Sequence, residues 1–317
     1  MEHFKGKIKI ITPARLHCTL INLSGLHSRV DSGIGFSINK PNWVIEIEFS
    51  DKLDFKGIEL EKELYDLAII IANDFIEKYK LGKFIITIKE IIPLHTGLGA
   101  KTSFVLSLGK LISTLYDIDF DAERFANQYF RGSTSGFGIH TFSSGGFVCD
   151  IGHKFPQEKN SFLPSSKSQA PTAKKLFSLN INNYKVLHFR LTNKGISGND
   201  EKALFQTYCP LTHESTTDVL ASVFFQVAAG IISNDDEALQ AGLNKIQNSG
   251  FKKIEWEIQP QIIKDFRALW YKINPKQALC LSSVGPTLYV LGNNFDVANS
   301  IIEKFNTKIY HRTECEF

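Results

Sequence analysis

Apolar and polar residues alternate through the first fifty positions. "KIKIIT", "LHCTLINL", "GIGFSI" and "WVIEIEF" predict short strands separated by Pro, Gly, Ser and Asn. The period then changes. From Glu59 to Lys80, Leu60, Leu64, Leu67, Ala68, Ile71 and Phe75 recur at three and four residues and predict a helix. "KFIITIKEI" (Lys83–Ile91) alternates again as a strand, "IPLHTGLGA" interrupts it, and "TSFVLSLGKLISTLY" resumes the helical period. A helix over about 121–130 is expected next, followed by a glycine-rich strand pair, "GFGIHTF" and "GGFVCDIG". Residues 154–182 are rich in Lys, Ser, Pro and Asn and have little periodicity, which predicts a mobile loop or a domain boundary. "YKVLHFRL" is a strand. Helices are expected around 199–207, 212–232, 235–248 and 260–273, then strands at "QALCLSS" and "TLYVLG", a helix at "NFDVANSIIEKF" and a last strand at "KIYHRT". Strands and helices intermix without strict βαβ alternation, which predicts an α+β fold.

Composition narrows the function classes. The chain of 317 residues is long enough for two domains, and its 43% apolar and 22% charged residues are ordinary for a soluble globular protein. A net charge of +3 without a basic block gives no support to nucleic-acid binding. The apolar runs Leu67–Ala72 and Val219–Ile232 read as too short or too interrupted to span a bilayer, and the N-terminus lacks the apolar core of a signal peptide. Cys18, Cys149, Cys209, Cys280 and Cys315 are scattered, without metal-clip or redox spacing, so reduced thiols in a cytoplasmic protein are expected.

The candidate chemistry concentrates in "PLHTGLGAKTS", Pro93 to Ser103. Gly97 and Gly99 can take backbone angles closed to other residues and so turn main-chain N–H groups toward one point. A helix starting near Lys101 adds unpaired N–H donors and partial positive charge there. Lys101, Thr102 and Ser103 add a cation and two hydroxyls. The loop therefore reads either as a phosphate cradle or as a glycine-rich turn capped by Thr102. It is not a Walker A loop, because the G-x-x-x-x-G-K-[ST] spacing is absent.

Pro93, His95, Gly97, Leu98, Gly99 and Ala100 lie in a segment that resembles the P-x-x-x-G-L-G-S-S/G loop of the GHMP superfamily, which includes galactokinase, homoserine kinase and mevalonate kinase. "TPARLHCTLINLSG" (Thr12–Gly25) and "SSVGPTLYVL" (Ser282–Leu291) fall where the superfamily's other motifs lie. Many GHMP kinases carry an aspartate in S-G-x-D; "SGFG" places Gly138 there, and glycine can neither accept a proton nor orient a hydroxyl. A non-kinase branch is more similar, the β-ribofuranosylaminobenzene 5′-phosphate synthases. The likeness runs through "ARLHCTLINLSG", "RVDSGIGFSI", "HTGLG", "RGSTSGFG", "GGFVCDIGH", "GISGNDEKALF" and "SSVGPT". "GLGAKT" departs from the family's Ser-Gly after the second glycine, and "RGSTSG" has a serine for a family glycine.

The resemblance implies a two-domain fold, with a ribosomal-protein-S5-like half over 1–180 bearing the phosphate loop and a ferredoxin-like half over 181–317. It implies a transferase that moves ribosyl phosphate from phosphoribosyl pyrophosphate to the carboxyl-bearing carbon of a para-amino- or para-hydroxybenzoate. CO2 and pyrophosphate leave, on the way to a methanopterin-type pterin. The alternative is an ATP-dependent small-molecule kinase of the same fold. Arg131, Thr134, Ser135 and Gly285 join the loop residues as expected binding positions. The chemistry calls for Mg²⁺ on the pyrophosphate, with no residue singled out as its ligand. Asp31 or Asp150 could stabilise an oxocarbenium-like ribosyl carbon, Arg15 or Arg29 could hold the benzoate carboxylate, and His17 or His153 could accept the proton of the para substituent. Equally, Arg15 and His17 fit one polar face of an edge strand, Arg29 and Asp31 fit a pair across a turn, and Asp150 and His153 fit a loop cap. His188, His213 and His311 have no constellation. A homodimer is an open expectation.

Overall fold

The computed structural model describes residues 6–165, 167–193, 195, 198–305 and 307–317. Ile196 and Ser197 of the "GISGNDEKALF" motif therefore lie outside the described residues. In chain order the elements begin with β1 (Ile8–Asn22), β2 (Arg29–Ser50), β3 (Asp54–Gly57), α1 (Lys62–Tyr79), β4 (Lys83–Glu90) and α2 (Ala100–Leu115). They continue with α3 (Ala122–Gln128), α4 (Phe137–Ser144), β5 (Phe147–Asp150), β6 (His153–Lys154), β7 (Lys175–Leu179), β8 (Lys185–Arg190) and α5 (Gly198–Tyr208). Helix α6 (His213–Ser222) runs through a π-helical stretch (Val223–Ala228) into α7 (Ala229–Ser233). The chain ends with α8 (Asp236–Gln247), α9 (Gly250–Glu257), α10 (Gln261–Ile273), β9 (Cys280–Leu281), β10 (Thr287–Gly292), α11 (Asp296–Lys304) and β11 (His311–Cys315). The α+β expectation holds.

Among the described residues the strands form two sheets. The first has seven strands, ordered β3-β4-β2-β5-β7, with β1 and β6 also paired to β2. The second has four, ordered β11-β8-β10-β9. The predicted four short N-terminal strands are two long ones. Pro13 pairs with Asn42 and Ala14 with Ile38, so residues 39–41 bulge out of the ladder and Pro41 does not break it. Helix α2 lies on β1 and β2 with Phe104, Val105, Leu106, Leu108, Leu111, Ile112 and Leu115 all buried. A helix apolar on nearly every side belongs in a core, and its first turn is pinned from below by Trp43 Nε1 donating to the Ala100 carbonyl at 3.1 Å.

Strand β10 divides two cores by its period of two. Tyr289 and Leu291 join the large core with Leu16, Phe36 and Phe104. Leu288 and Val290 face the smaller core built on Phe266, Trp270 and Ile301. The large core includes Ile181, Tyr184 and Val186 as well as the N-terminal strands.

Several local expectations change. "GFGIHTF" is a helix, α4, because Asp150 Oδ2 accepts from Phe137 N at 3.1 Å and so caps its start, while Phe137, Ile139 and His140 bury one side. The aperiodic 154–182 segment is fixed rather than loose: Lys159, Ser168, Thr172 and Ala173 are buried, and β7 joins the sheet beside β5. Helix α9, unassigned from the sequence, has charged residues on its buried face, which hides its period. The continuous helix His213–Ser233 is long and apolar enough to cross a bilayer by length and composition, contrary to the reading of Val219–Ile232 as too interrupted. Here 44% of its most apolar window is buried inside the protein.

Candidate active site

Strand β1, the 93–102 loop, the turn before α4, and helices α5 and α9 enclose a pocket of about 290 Å³. The glycine loop supplies one wall. Pro93, His95, Gly97, Leu98, Gly99, Ala100, Lys101 and Thr102 all line it. Gly97 and Gly99 have φ of 78° and 75°. A Cβ on Gly97 would stand 2.4 Å from the Ser282 carbonyl, and one on Gly99 would stand 2.7 Å from the Arg15 side chain. Both positions thus need glycine for conformation and for space. Helix α2 starts at Ala100, with Gly99 as N-cap and no side-chain cap. Thr102 does not cap it, so the helix's first N–H groups keep their capacity for an anion.

The loop is held from behind by the C-terminal turn. Ser282 Oγ donates to Gly97 O at 2.6 Å and accepts from His17 N at 2.9 Å, and Thr287 Oγ1 donates to Thr96 O at 2.6 Å. Gly285 does not line the pocket; its N–H closes the turn onto Ser282 O at 3.0 Å. Ser103 is also withdrawn, since its hydroxyl bonds back to Gly99 O and Ala100 O. Lys101 reaches the pocket rim but its ammonium pairs with Glu63 of α1, which His95 also approaches at 3.5 Å. The Lys101 hydrogen bond holds the Glu63 carboxyl below its ordinary range. Arg131, Thr134 and Ser135 also line the wall. Burial lowers the Arg131 pKa, against an opposing effect of Glu63.

Arg15 and His17 come from β1, beside the bulge between His17 and Thr19; among the described residues β1 pairs only with β2, but their face is covered by the glycine loop instead of being solvated. Arg15 Nη1 donates to Gly97 O at 2.7 Å, and its guanidinium stands 5.4 Å from the Phe137 ring centroid. Burial lowers its pKa to about 10, with Glu201 acting in the other direction. His17 is 7% exposed, packs on Phe137 at 5.2 Å, and its buried Nδ1 has no hydrogen-bond partner. Burial first, then the charges of Lys252 and Arg15, push its pKa well below the usual histidine value, so the ring is neutral at pH 7.

The other four sequence candidates lie outside the pocket lining. Arg29 donates Nε to Ile151 O at 2.9 Å and Nη2 to Gly152 O at 3.0 Å, so its guanidinium is committed to the main chain instead of a benzoate. Asp150 accepts from Ser135 Oγ at 2.8 Å, Gly152 N at 2.8 Å and Phe137 N at 3.1 Å, which fixes the pocket-lining turn from outside. Burial raises its pKa despite these bonds. Asp31 does not pair with Arg29. Its carboxylate is fully buried with His153 Nδ1 at 2.6 Å and Lys159 Nζ at 2.9 and 3.1 Å. Lys159 also donates to Thr134 Oγ1 and Leu163 O, each at 3.0 Å, and His153 Nε2 reaches Pro171 O at 2.8 Å.

What the sequence reading missed is the wall supplied by α5 and α9: Glu201, Phe205, Phe251 and Glu255. The Phe205 and Phe251 rings pack at 4.7 Å beside Leu20. Glu255 pairs with Lys252, which is fully buried and donates to Leu281 O at 3.1 Å and Ser283 O at 3.0 Å. Glu201 is raised to about 7, by burial first and then by the Glu255 charge, against a smaller opposing effect of Arg15. Glu201 sits in the quoted "GISGNDEKALF", whose mixed charge gave no reason to single it out. Gly138 also lines the pocket, and a Cβ there would have nothing nearer than Arg15 Nε at 3.8 Å. Among the described residues no three His, Cys, Asp or Glu side chains gather as a metal cage.

The pocket thus joins a glycine loop and an uncapped helix start to an aromatic wall bearing ionisable groups. No family model matches the chain. It is 33% identical over 292 residues to the β-ribofuranosylphenol 5′-phosphate synthase of Methanothermobacter thermautotrophicus, covering 88% of this chain and 87% of that one. It is 32% identical over 305 residues to the enzyme of the same name from Archaeoglobus fulgidus, covering 96% and 94%. Among solved structures, Streptococcus pneumoniae phosphomevalonate kinase superposes with a TM-score of 0.69 at 12% identity over 97% of this chain and 99% of that one. Methanococcus jannaschii mevalonate kinase superposes with a TM-score of 0.68 at 12% identity over 99% of each. These two establish a shared GHMP-kinase fold and no shared activity.

Proposed function

The chain belongs to the β-ribofuranosylphenol 5′-phosphate synthase family, and from that premise we propose that it transfers ribosyl 5-phosphate from phosphoribosyl pyrophosphate to para-hydroxybenzoate. The product would be a ribosylphenol phosphate for a methanopterin-type pterin, with CO2 and pyrophosphate as the other products. The product name borne by the relatives favours the hydroxy acid over para-aminobenzoate. One observation carries the reading: a glycine loop and uncapped helix start suited to phosphate share a pocket with a wall of Phe137, Phe205 and Phe251 suited to an aromatic ring.

In this reading the N–H groups around Gly97, Gly99 and the start of α2 hold donor phosphate oxygens, with Lys101 and Arg131 adding charge at the rim. Donors aimed at a leaving oxyanion each accelerate such a step by about 10²–10³. Arg15 connects the two ends, since it contacts both Gly97 O and the Phe137 ring. Its cation lies where a benzoate carboxylate would be held before leaving as CO2. Gly138 leaves the space beside Arg15 without the carboxylate that GHMP kinases commonly place there. Because no three His, Cys, Asp or Glu side chains gather as a metal cage among the described residues, Mg²⁺ would arrive with the pyrophosphate of the donor and neutralise its charge.

The test is incubation with phosphoribosyl pyrophosphate and carboxyl-labelled para-hydroxybenzoate in Mg²⁺. Equal amounts of labelled CO2 and pyrophosphate, with no ATP requirement, are expected. Pyrophosphate without CO2, or ATP consumed in phosphorylating an alcohol, would overturn the reading.

A further inference from the structure

The charged groups on the α5–α9 side of the pocket have no part in holding phosphate. Glu201 from α5 and Glu255 from α9 face the pocket together with His17 from β1, beside the Phe205 and Phe251 rings. Glu255 is fixed by Lys252. His17 is 7% exposed, and its buried Nδ1 finds no partner among the described residues. We propose that Glu201 is the general base of the transfer, taking the proton of the acceptor's para-hydroxyl, with Glu255 and His17 completing the polar recess that receives this hydroxyl. The choice of acceptor rests on the transferase reading above.

The chemistry requires such a group. The para-hydroxyl proton passes to the Glu201 carboxylate, and the oxygen's electrons move through the ring to the carboxyl-bearing carbon. That carbon bonds to the ribosyl carbon as the bond to pyrophosphate breaks. The carbon–carboxylate bond then breaks, its electron pair restores the aromatic ring, and CO2 departs. Glu201 returns the proton to the phenolate, so no oxidant or reductant is needed. A base works best with a pKa near the operating pH, and Glu201 meets this at about 7. The charges acting on it are Glu255 of α9 and Arg15 of β1; Lys252 of α9 is paired to Glu255, and His17 of β1 lines the same pocket. Because the ionised form is the base, turnover should rise as pH passes upward through about 7.

The experiment compares wild type with Glu201→Gln, using para-hydroxybenzoate and para-aminobenzoate as alternative acceptors. The aniline nitrogen donates its lone pair without first losing a proton. The expected result is a loss of at least about 100-fold in kcat with the hydroxy acid, disappearance of the rising limb near pH 7, and a much smaller loss with the amino acid. Equal losses with both acceptors, or an unchanged pH profile, would overturn the assignment while wild-type CO2 release kept the transferase reading intact. Absence of CO2 from wild type with either acceptor would overturn both. If Glu201→Gln does not fold, Glu201→Asp decides: it should keep the rising limb at a lower rate, and losing that limb would count against the proposal.

Discussion

The Asp31 group and the Glu201 group are both charged and withdrawn from water, yet the fold treats them differently. Asp31 is enclosed by Lys159 and His153, and Lys159 is itself satisfied by Thr134 and Leu163. Every charge there has an answering partner. Around Glu201 the next largest influence after burial is another carboxylate, Glu255, and the neighbouring His17 has an orphaned nitrogen. Breaking one partner of a satisfied buried pair leaves an uncompensated charge, whereas an unsatisfied group already costs stability and persists because a ligand completes it. The first cluster holds the 133–135 turn in shape; the second lines the pocket where we propose the acceptor binds.

The contrast breaks most sharply at Lys159. Lys159→Met should destabilise the protein by about 3–5 kcal/mol, the range for removing one partner of a buried ion pair. Denaturant unfolding followed by fluorescence would measure it, and the activity remaining per folded molecule should fall mainly through misplacement of Thr134.

Glu201→Gln should do the reverse. The folded pKa of about 7 lies above the ordinary 4.5. Below pH 4.5 both states hold the proton and Glu201 costs nothing. Between 4.5 and about 7 the unfolded chain ionises more readily, so wild-type stability falls, and above 7 the full penalty stands. The variant should therefore gain on wild type as pH rises through that window, by on the order of 1–3 kcal/mol. Urea titrations at pH 4.5 and pH 8 would show it.

The legibility of the two regions follows from range. Gly97, Gly99 and Lys101 are readable because a glycine loop is local: its spacing, its glycines and the helix after it lie in one stretch. Asp31, Asp150 and His153 are readable as polar residues in motifs, but not as buried, because Lys159 and Pro171 come from the aperiodic 154–182 segment and Ser135 from a separate motif. Glu201 and Glu255 reach the pocket only when α5 and α9 pack against β1, and α9 is eight residues long with Lys252 and Glu255 buried. No periodicity announces such a helix. The strand-like look of "GFGIHTF" failed for a similar reason, since its cap comes from Asp150 in the next strand.

Two further effects sharpen the boundary between the groups. Arg29→Gln removes charge-assisted bonds to Ile151 O and Gly152 O, so a loss of about 1.5–3 kcal/mol in stability is expected. KM for the benzoate should be unchanged, as steady-state kinetics would show. Lys101→Ala removes a rim ion pair with Glu63, and pairs of that kind contribute about 0–1 kcal/mol. Its thermal midpoint should barely move, while calorimetric titration with phosphoribosyl pyrophosphate should show weaker binding.

The difference between the two clusters comes down to a sign, and unfolding free energies of Lys159→Met and Glu201→Gln against wild type at pH 8 read it directly. Lys159→Met should be less stable than wild type and Glu201→Gln more stable. A Glu201→Gln variant destabilised like Lys159→Met would mean that Glu201 is a structural partner in a satisfied network, and it would contradict the account.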